Sequence, residues 1–245
     1  MATWTIRLSG AADSALDLLF PPRCAGCDAP GQPFCDRCAQ LVAPLPAQIC
    51  AVCGRPHATA VALCSQCRHG RSHLRLSRAA ALHAHPLREA IHALKYETRP
   101  ELAGPLARYL VAVFQAPPWD ALPAPIDAVV PVPLHIQRRE ERGYNQSELL
   151  AAGLCRATGL ALEPAWLERI QATRQQVGLS AAERRQNVAG AFTAHSAVTG
   201  RCLLLVDDVY TTGATLEACA QAATAAGARA VYALTLAIPA HGAHP

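Results

Sequence analysis

Leu203–Thr215 reads LLLVDDVYTTGAT, and the order of its residue types decides the architecture. Four apolar residues lead into two adjacent carboxylates, Asp207 and Asp208; after Val209 and Tyr210 come Thr211, Thr212, Gly213, Ala214 and Thr215. A continuous apolar run suits a central parallel strand covered on both faces. Two acids at its carboxyl end stand where open α/β sheets bind ligands. Carboxylates accept hydrogen bonds from vicinal sugar hydroxyls. The residues after them open a helix, whose first N–H groups and dipole favour an anion, and Gly213 lets the backbone come close. The stretch therefore fits a ribose 5-phosphate, with its hydroxyls on the two aspartates and its phosphate in the loop 211–215.

The flanking sequence supports the same architecture. AAALHAH (79–85) reads as a strand, and PLREAIHALKYE (86–97) and ELAGPLARYLVAVF (101–114) as helices. DAVVPVP (127–133) is a short buried strand, and NQSELLAAGLCRATG (145–159) a helix stopped by Gly159. RCLLLVDD (201–208), TLEACAQAATAAG (215–227) and ARAVYALTLAI (228–238) continue as strand, helix, strand. Such alternation predicts an α/β domain with a mainly parallel sheet and flanking helices.

Ahead of it the composition changes. Eight of the 11 cysteines fall into four C-x-x-C pairs, Cys24/Cys27, Cys35/Cys38, Cys50/Cys53 and Cys64/Cys67, in a stretch rich in Pro, Gly and Arg. Two such pairs complete a tetrahedral thiolate shell for zinc, so the eight predict two structural Zn2+ sites with no open coordination position. Consecutive ribbons use every ligand; an interleaved pairing stays open, and His57, His69 and His73 read as bystanders. Cys155, Cys202 and Cys219 sit in apolar patterns and read as buried thiols. A net charge of +4 permits an anionic ligand or nucleic acid without requiring either, and the 16% charged content argues against a disordered chain. No run approaches the roughly 18 apolar residues of a membrane span. The first residues lack the pattern of a secretory signal, so a cytoplasmic location is expected.

LLLVDDVYTTGAT is similar to the signature with which type I phosphoribosyltransferases bind 5-phosphoribosyl 1-diphosphate (PRPP). Together with the cysteine pairs and the blocks LKYETRPELAGPLA (94–107), VVPVPLHIQRREERGYNQSELLA (129–151) and TRQQVGLSAAERRQNVAGAF (173–192), the chain resembles the ComF family from about residue 16 to 239. The resemblance implies a type I phosphoribosyltransferase-like fold and three parts: a short N-terminal helix (1–20), a double zinc ribbon (21–72) and a phosphoribosyltransferase-like domain (73–240). It implies a PRPP site of Asp207, Asp208, Val209, Tyr210, Thr211, Thr212, Gly213, Ala214 and Thr215. It also implies Mg2+ bound with PRPP, and catalytic roles for both aspartates and for Arg138, Arg139 and Arg142. These arginines fall in a basic loop after DAVVPVP, and their guanidiniums can grip pyrophosphate.

The stretch 173–187 corresponds to a mobile cover in the resembling enzymes, although Ser180 and Glu183 also spell a helix capping box. Lys95 closes a helix and is a minor phosphate candidate. The expected activity is phosphoribosyl transfer to an unidentified nitrogen acceptor, in a family linked to competence. A non-catalytic PRPP sensor and a single-stranded DNA-handling factor are the alternatives. Single-stranded DNA as a partner and self-association both stay open.

Overall fold

The computed structural model describes residues 21–240 apart from 58, 60, 61, 71 and 172–179. The expected helix at 1–20 and residues 173–179 of the expected cover over 173–187 lie outside the described residues.

The ribbons contribute two short helices, α1 (Asp36–Gln40) and α2 (Ser65–His69), each running through the fourth cysteine of its set. β1 (Leu74–Leu82) follows, then α3 (Leu87–Tyr96), α4 (Ala103–Phe114) and β2 (Ala128–Pro131). The helices α5 (Ile136–Arg142) and α6 (Gln146–Thr158) lead to β3 (Leu167–Arg169). Then come α7 (Ala181–Val188), β4 (Phe192–Ala194), β5 (Cys202–Val209), α8 (Ala214–Ala225) and β6 (Ala230–Ile238).

Four strands form a parallel sheet in the order β1-β6-β5-β2, while β3 and β4 pair as a small antiparallel ribbon. The apolar run of β5 lies in the interior of the sheet, where Leu203, Leu204, Leu205 and Val206 are fully buried. Alternate side chains serve opposite layers. Leu204 and Val206 pack with Ile91, Leu94, Leu106, Leu110, Leu150 and Leu154 of α3, α4 and α6. Leu203 and Leu205 pack with Leu216, Cys219, Ala220 and Ala223 of α8.

The ribbons straddle the sheet. Cys24, Phe34 and Cys38 of the first join the α3/α4/α6 layer, and Cys50, Cys53 and Cys64 of the second join the α8 layer. The chain from the linker into the second ribbon runs along edge strand β1, where the Ser77 N–H donates to the Val52 carbonyl at 2.7 Å and the Leu82 N–H to the Ala43 carbonyl at 2.9 Å. Arg78 reinforces the seam, its guanidinium reaching the Ala51 carbonyl at 2.9 Å. This pairing covers an edge that would otherwise present free backbone groups.

Several elements differ from the sequence expectation; β3, β4 and the short helices α1 and α2 are additions to it. β1 begins at Leu74 instead of 79, because Arg75 points to solvent while Leu74 and Leu76 are buried. The basic stretch after β2, expected as a loop, is the helix α5, closed by Gly143 in the left-handed conformation at φ 81°. The capping box is present: the Ser180 side chain accepts from the Glu183 N–H, and Glu183 accepts from the Ser180 N–H.

Helices α4 and α6 meet at Gly153, where an added Cβ would overlap the Cβ of Ala107. Gly153→Ala is expected to destabilise the fold by about 1–3 kcal/mol through overpacking. Ala107→Gly in the same chain should recover part of that loss. Denaturant titration of the single and double variants measures both.

Candidate functional site

The carboxyl end of β5 collects the ends of several helices. Asp208 is 3% exposed, and its Oδ1 lies 2.7 Å from the Lys95 ammonium at the last turn of α3. Its Oδ2 is buried and has no hydrogen-bond partner among the described residues. Burial works against the Lys95 charge, but Asp208 and then Asp207 outweigh it and raise its pKa above the ordinary value. Asp207 turns to α6 instead: its Oδ1 accepts from the Ser147 hydroxyl at 2.8 Å and from the Asp208 N–H at 2.9 Å. Burial first, and then the charge of Asp208, push the Asp207 carboxyl up to about 7.

The turn before α6 is fixed by its own residues. The Asn145 side chain caps the helix by accepting from the Ser147 N–H at 3.0 Å, and its amide donates to the Val132 carbonyl at 3.0 Å. The Tyr144 hydroxyl donates to the Leu94 carbonyl at 2.5 Å, tying this turn to the end of α3. Arg142 lies over the Tyr96 ring at 5.4 Å and donates to the Gln146 side chain. Arg139 pairs with Glu148 of α6 at 3.1 Å. Arg138 and Asp207 both act on the half-buried Arg169 guanidinium, whose pKa burial lowers. Arg142 is therefore tied to the turn that holds Asp207, and Arg138 stands near Arg169, while Arg139 is drawn to the side of α6.

Past Asp208 the chain makes the turn 210–213. Gly213 sits at φ 80°, in the left-handed region that favours glycine, and an added Cβ there would overlap the Tyr210 ring. The Thr212 hydroxyl accepts from the Ala214 N–H at 3.3 Å and opens α8. A helix start of this kind leaves its first N–H groups without partners inside the helix.

Arg55 of the second ribbon holds the turn from outside. Its guanidinium donates to the Thr211 carbonyl at 3.4 Å and lies over the Tyr210 ring at 5.8 Å. Sequence reasoning missed Arg55 as part of this region and gave Tyr144 and Ser147 no role of their own, although the block 129–151 includes both. Lys95 had only its helix end to mark it; its partner Asp208 is far away in the chain.

The eight cysteines form two consecutive sets, Cys24, Cys27, Cys35, Cys38 and Cys50, Cys53, Cys64, Cys67, with all sulfurs of a set within 4.8 Å of one another. Cys27 and Cys35 sulfurs are 3.7 Å apart, as are those of Cys53 and Cys64. Four thiolates about 2.3 Å from a tetrahedral zinc stand about 3.8 Å from each other. Burial pushes the Cys24 thiol up, but the backbone N–H groups of Cys35 and Gly26 bring it down to about 6. Burial likewise opposes charge on Cys50, and the N–H groups of Cys64 and Cys53 bring it to about 6. Burial and the neighbouring Cys50 charge lift Cys53 to about 11. Four such sulfurs repel one another as thiolates unless a dication lies among them, so each set fits a structural Zn2+. No helix among the described residues is long and apolar enough to cross a membrane.

The double zinc ribbon domain family matches residues 15–68. The DNA utilization protein YhgH of Salmonella typhi is 36% identical over 198 residues, which are 75% of this chain and 87% of that protein. Competence protein F of Haemophilus influenzae is 38% identical over 136 residues, 54% of this chain and 59% of that protein. Among solved structures, the glutamine phosphoribosylpyrophosphate amidotransferase from B. subtilis, complexed with ADP and GMP, matches 54% of this chain at 23% identity and a TM-score of 0.36. The match spans only 25% of that longer chain.

Because the fold raises the Asp207 pKa, it binds a proton that the unfolded chain has already released. The resulting penalty is absent below about pH 4 and grows as pH rises towards 7. Asp207→Asn keeps an oxygen acceptor for Ser147 and removes the charge. It is expected to stabilise the ligand-free protein by about 1–2 kcal/mol at pH 8 and by nothing near pH 4, as thermal unfolding across pH would show. Cys64→Ser, which breaks the second sulfur set, should speed amide exchange over 210–214 by about tenfold or more. Cys27→Ser, in the first set, should leave that exchange unchanged.

Proposed function

The chain belongs to the ComF family, together with the DNA utilization protein it matches, and from that membership we propose that it binds PRPP at the carboxyl end of β5. The supporting observation is the buried Asp208 Oδ2 without a partner among the described residues, next to a second acid and just ahead of the turn that opens α8. A buried acceptor left bare marks a place for a donor the chain does not supply, and a ribose hydroxyl is such a donor. In this reading residues 73–240 form the ligand-binding domain. Asp207 and Asp208 take the ribose hydroxyls, and the turn from Val209 to Thr215 takes the 5-phosphate on its N–H groups and threonine hydroxyls.

Arg138, Arg139 and Arg142 face the diphosphate. For the last two this means exchanging Glu148 and Gln146 for phosphate oxygens. Mg2+ fits as a companion of the substrate, since hard cations of this kind keep phosphate and water oxygens and need few protein ligands. In the transfer, the bond from the anomeric carbon to the diphosphate oxygen breaks with its electron pair on oxygen. The lone pair of a nitrogen acceptor forms the new bond, and the acceptor then loses its proton. The chain's contribution is to hold the leaving diphosphate on guanidiniums and N–H groups and to fix the ribose on the acid pair.

A PRPP sensor without transfer is the second reading. It is favoured by the Lys95–Asp208 pair, which already neutralises one acid and lets the site switch between an internal cation and a ligand. DNA, which appears in the relative's name, enters as a further partner in either reading.

Calorimetric titration of the zinc-loaded protein with PRPP, with and without Mg2+, tests the proposal. Saturable, Mg2+-dependent binding is expected, with affinity reduced at least about a hundredfold when Asp207→Asn and Asp208→Asn are combined, as expected for two lost hydrogen-bonding charges. Absence of binding at millimolar PRPP, or an unaffected double variant, would overturn it. Release of pyrophosphate with a base or amine separates the transferase from the sensor.

A further inference from the structure

The second ribbon carries a cavity that the ribose-phosphate site does not use. It holds about 440 Å³, and Arg55, His57, Ser65, Gln66, Arg68 and His69 line it. Asp and Glu make up 18 residues of the chain, yet none is among the residues lining this cavity. Two permanently charged guanidiniums share this wall with the Cys64 sulfur of the second metal set, so the attraction for an anion rests on the guanidiniums themselves and on the neutral donors beside them.

The donors are also underused. Arg55 Nε is buried and has no acceptor among the described residues. The Arg68 guanidinium reaches the Leu63 carbonyl at a long 3.4 Å. Buried donors are ordinarily satisfied, and planar guanidiniums match the oxygens of phosphate better than those of water. Ser65 and Gln66 add neutral donors on the same wall.

We propose that this cavity is a second anion site, built for a phosphate group. That group is met either as a phosphodiester of single-stranded nucleic acid or as free phosphate. The site stands apart from the PRPP reading, since none of its lining residues belongs to the acid pair or the turn after it. It is nevertheless joined to that turn, because the Arg55 that would hold the phosphate also holds the Thr211 carbonyl.

Zinc-loaded full-length protein is titrated with inorganic phosphate by calorimetry, and with a labelled oligothymidylate of about 10 nucleotides by fluorescence anisotropy. Zinc content is measured for each variant. Saturable binding of at least one probe is expected. Ser65→Asp, which puts a negative charge on this wall alone, should weaken it about tenfold, and Arg68→Gln about threefold. For the oligonucleotide, Arg68→Gln should also flatten the salt dependence by about one unit of slope. Phosphate that displaces the oligonucleotide shows one cavity serving both sources. Phosphate that binds where the oligonucleotide does not assigns the cavity to the free anion. Failure of both probes to bind, or binding that Ser65→Asp leaves unchanged with zinc intact, overturns the proposal. The latter result would place any bound anion elsewhere, including at the turn after Asp208.

Discussion

A carboxylate withdrawn from water needs a cation or hydrogen bonds, and the end of β5 withdraws two in succession. Strand geometry sends them to different partners. Asp208 meets the Lys95 ammonium at 2.7 Å, and Asp207 leans on Ser147 and the backbone. The surrounding architecture follows from that need. α3 must end where Lys95 reaches the sheet, and α6 must begin where Ser147 does. Tyr144 and Asn145 fix both ends at once through the Leu94 and Val132 carbonyls. Even so, the arrangement leaves Asp208 Oδ2 bare and the Asp207 carboxyl pushed up to about 7. A fold selected for stability alone would have no use for this acid pair, and perturbed groups gathered at a strand end are a common mark of a binding site.

The zinc ribbons take part in the same design. They sit on opposite faces of the sheet and are joined along β1, so neither is a free appendage. The second one reaches the turn after Asp208 through Arg55. A sulfur cage for a metal thus stands beside a side chain that shapes a candidate ligand loop. Fixing Arg55 in advance lowers the entropy lost when that loop orders around an anion.

Much of this was legible in the sequence. The run LLLVDD placed β5 and its acids because a strand buried on both faces has few alternatives to a continuous apolar stretch. Asn145, Gly159 and Ser180 marked helix ends through their local hydrogen bonding or left-handed backbone. Spacing alone gave the cysteine ligands, while their division into consecutive sets needed three dimensions. The helix α5 was hidden because IQRREER offers a single apolar residue and no periodic stripe. The start of β1 was hidden by arginines that its edge position allows. Contacts such as Lys95 to Asp208 and Arg55 to Thr211 join segments more than a hundred residues apart, and no local pattern encodes them.

The place of β1 bears on how the chain is made. Its partner in the sheet is β6, the last strand, so during synthesis β1 leaves the ribosome long before it can pair, by roughly 150 residues, and contacts of such separation form late. The ribbons leave first, and zinc lets them fold without a large core. They can therefore hold one side of β1 through the Val52 and Ala43 carbonyls while its other side waits. In this light the metal sites anchor a nascent strand, covering its outer edge while the inner one stays open for the carboxyl-terminal strand that closes the sheet.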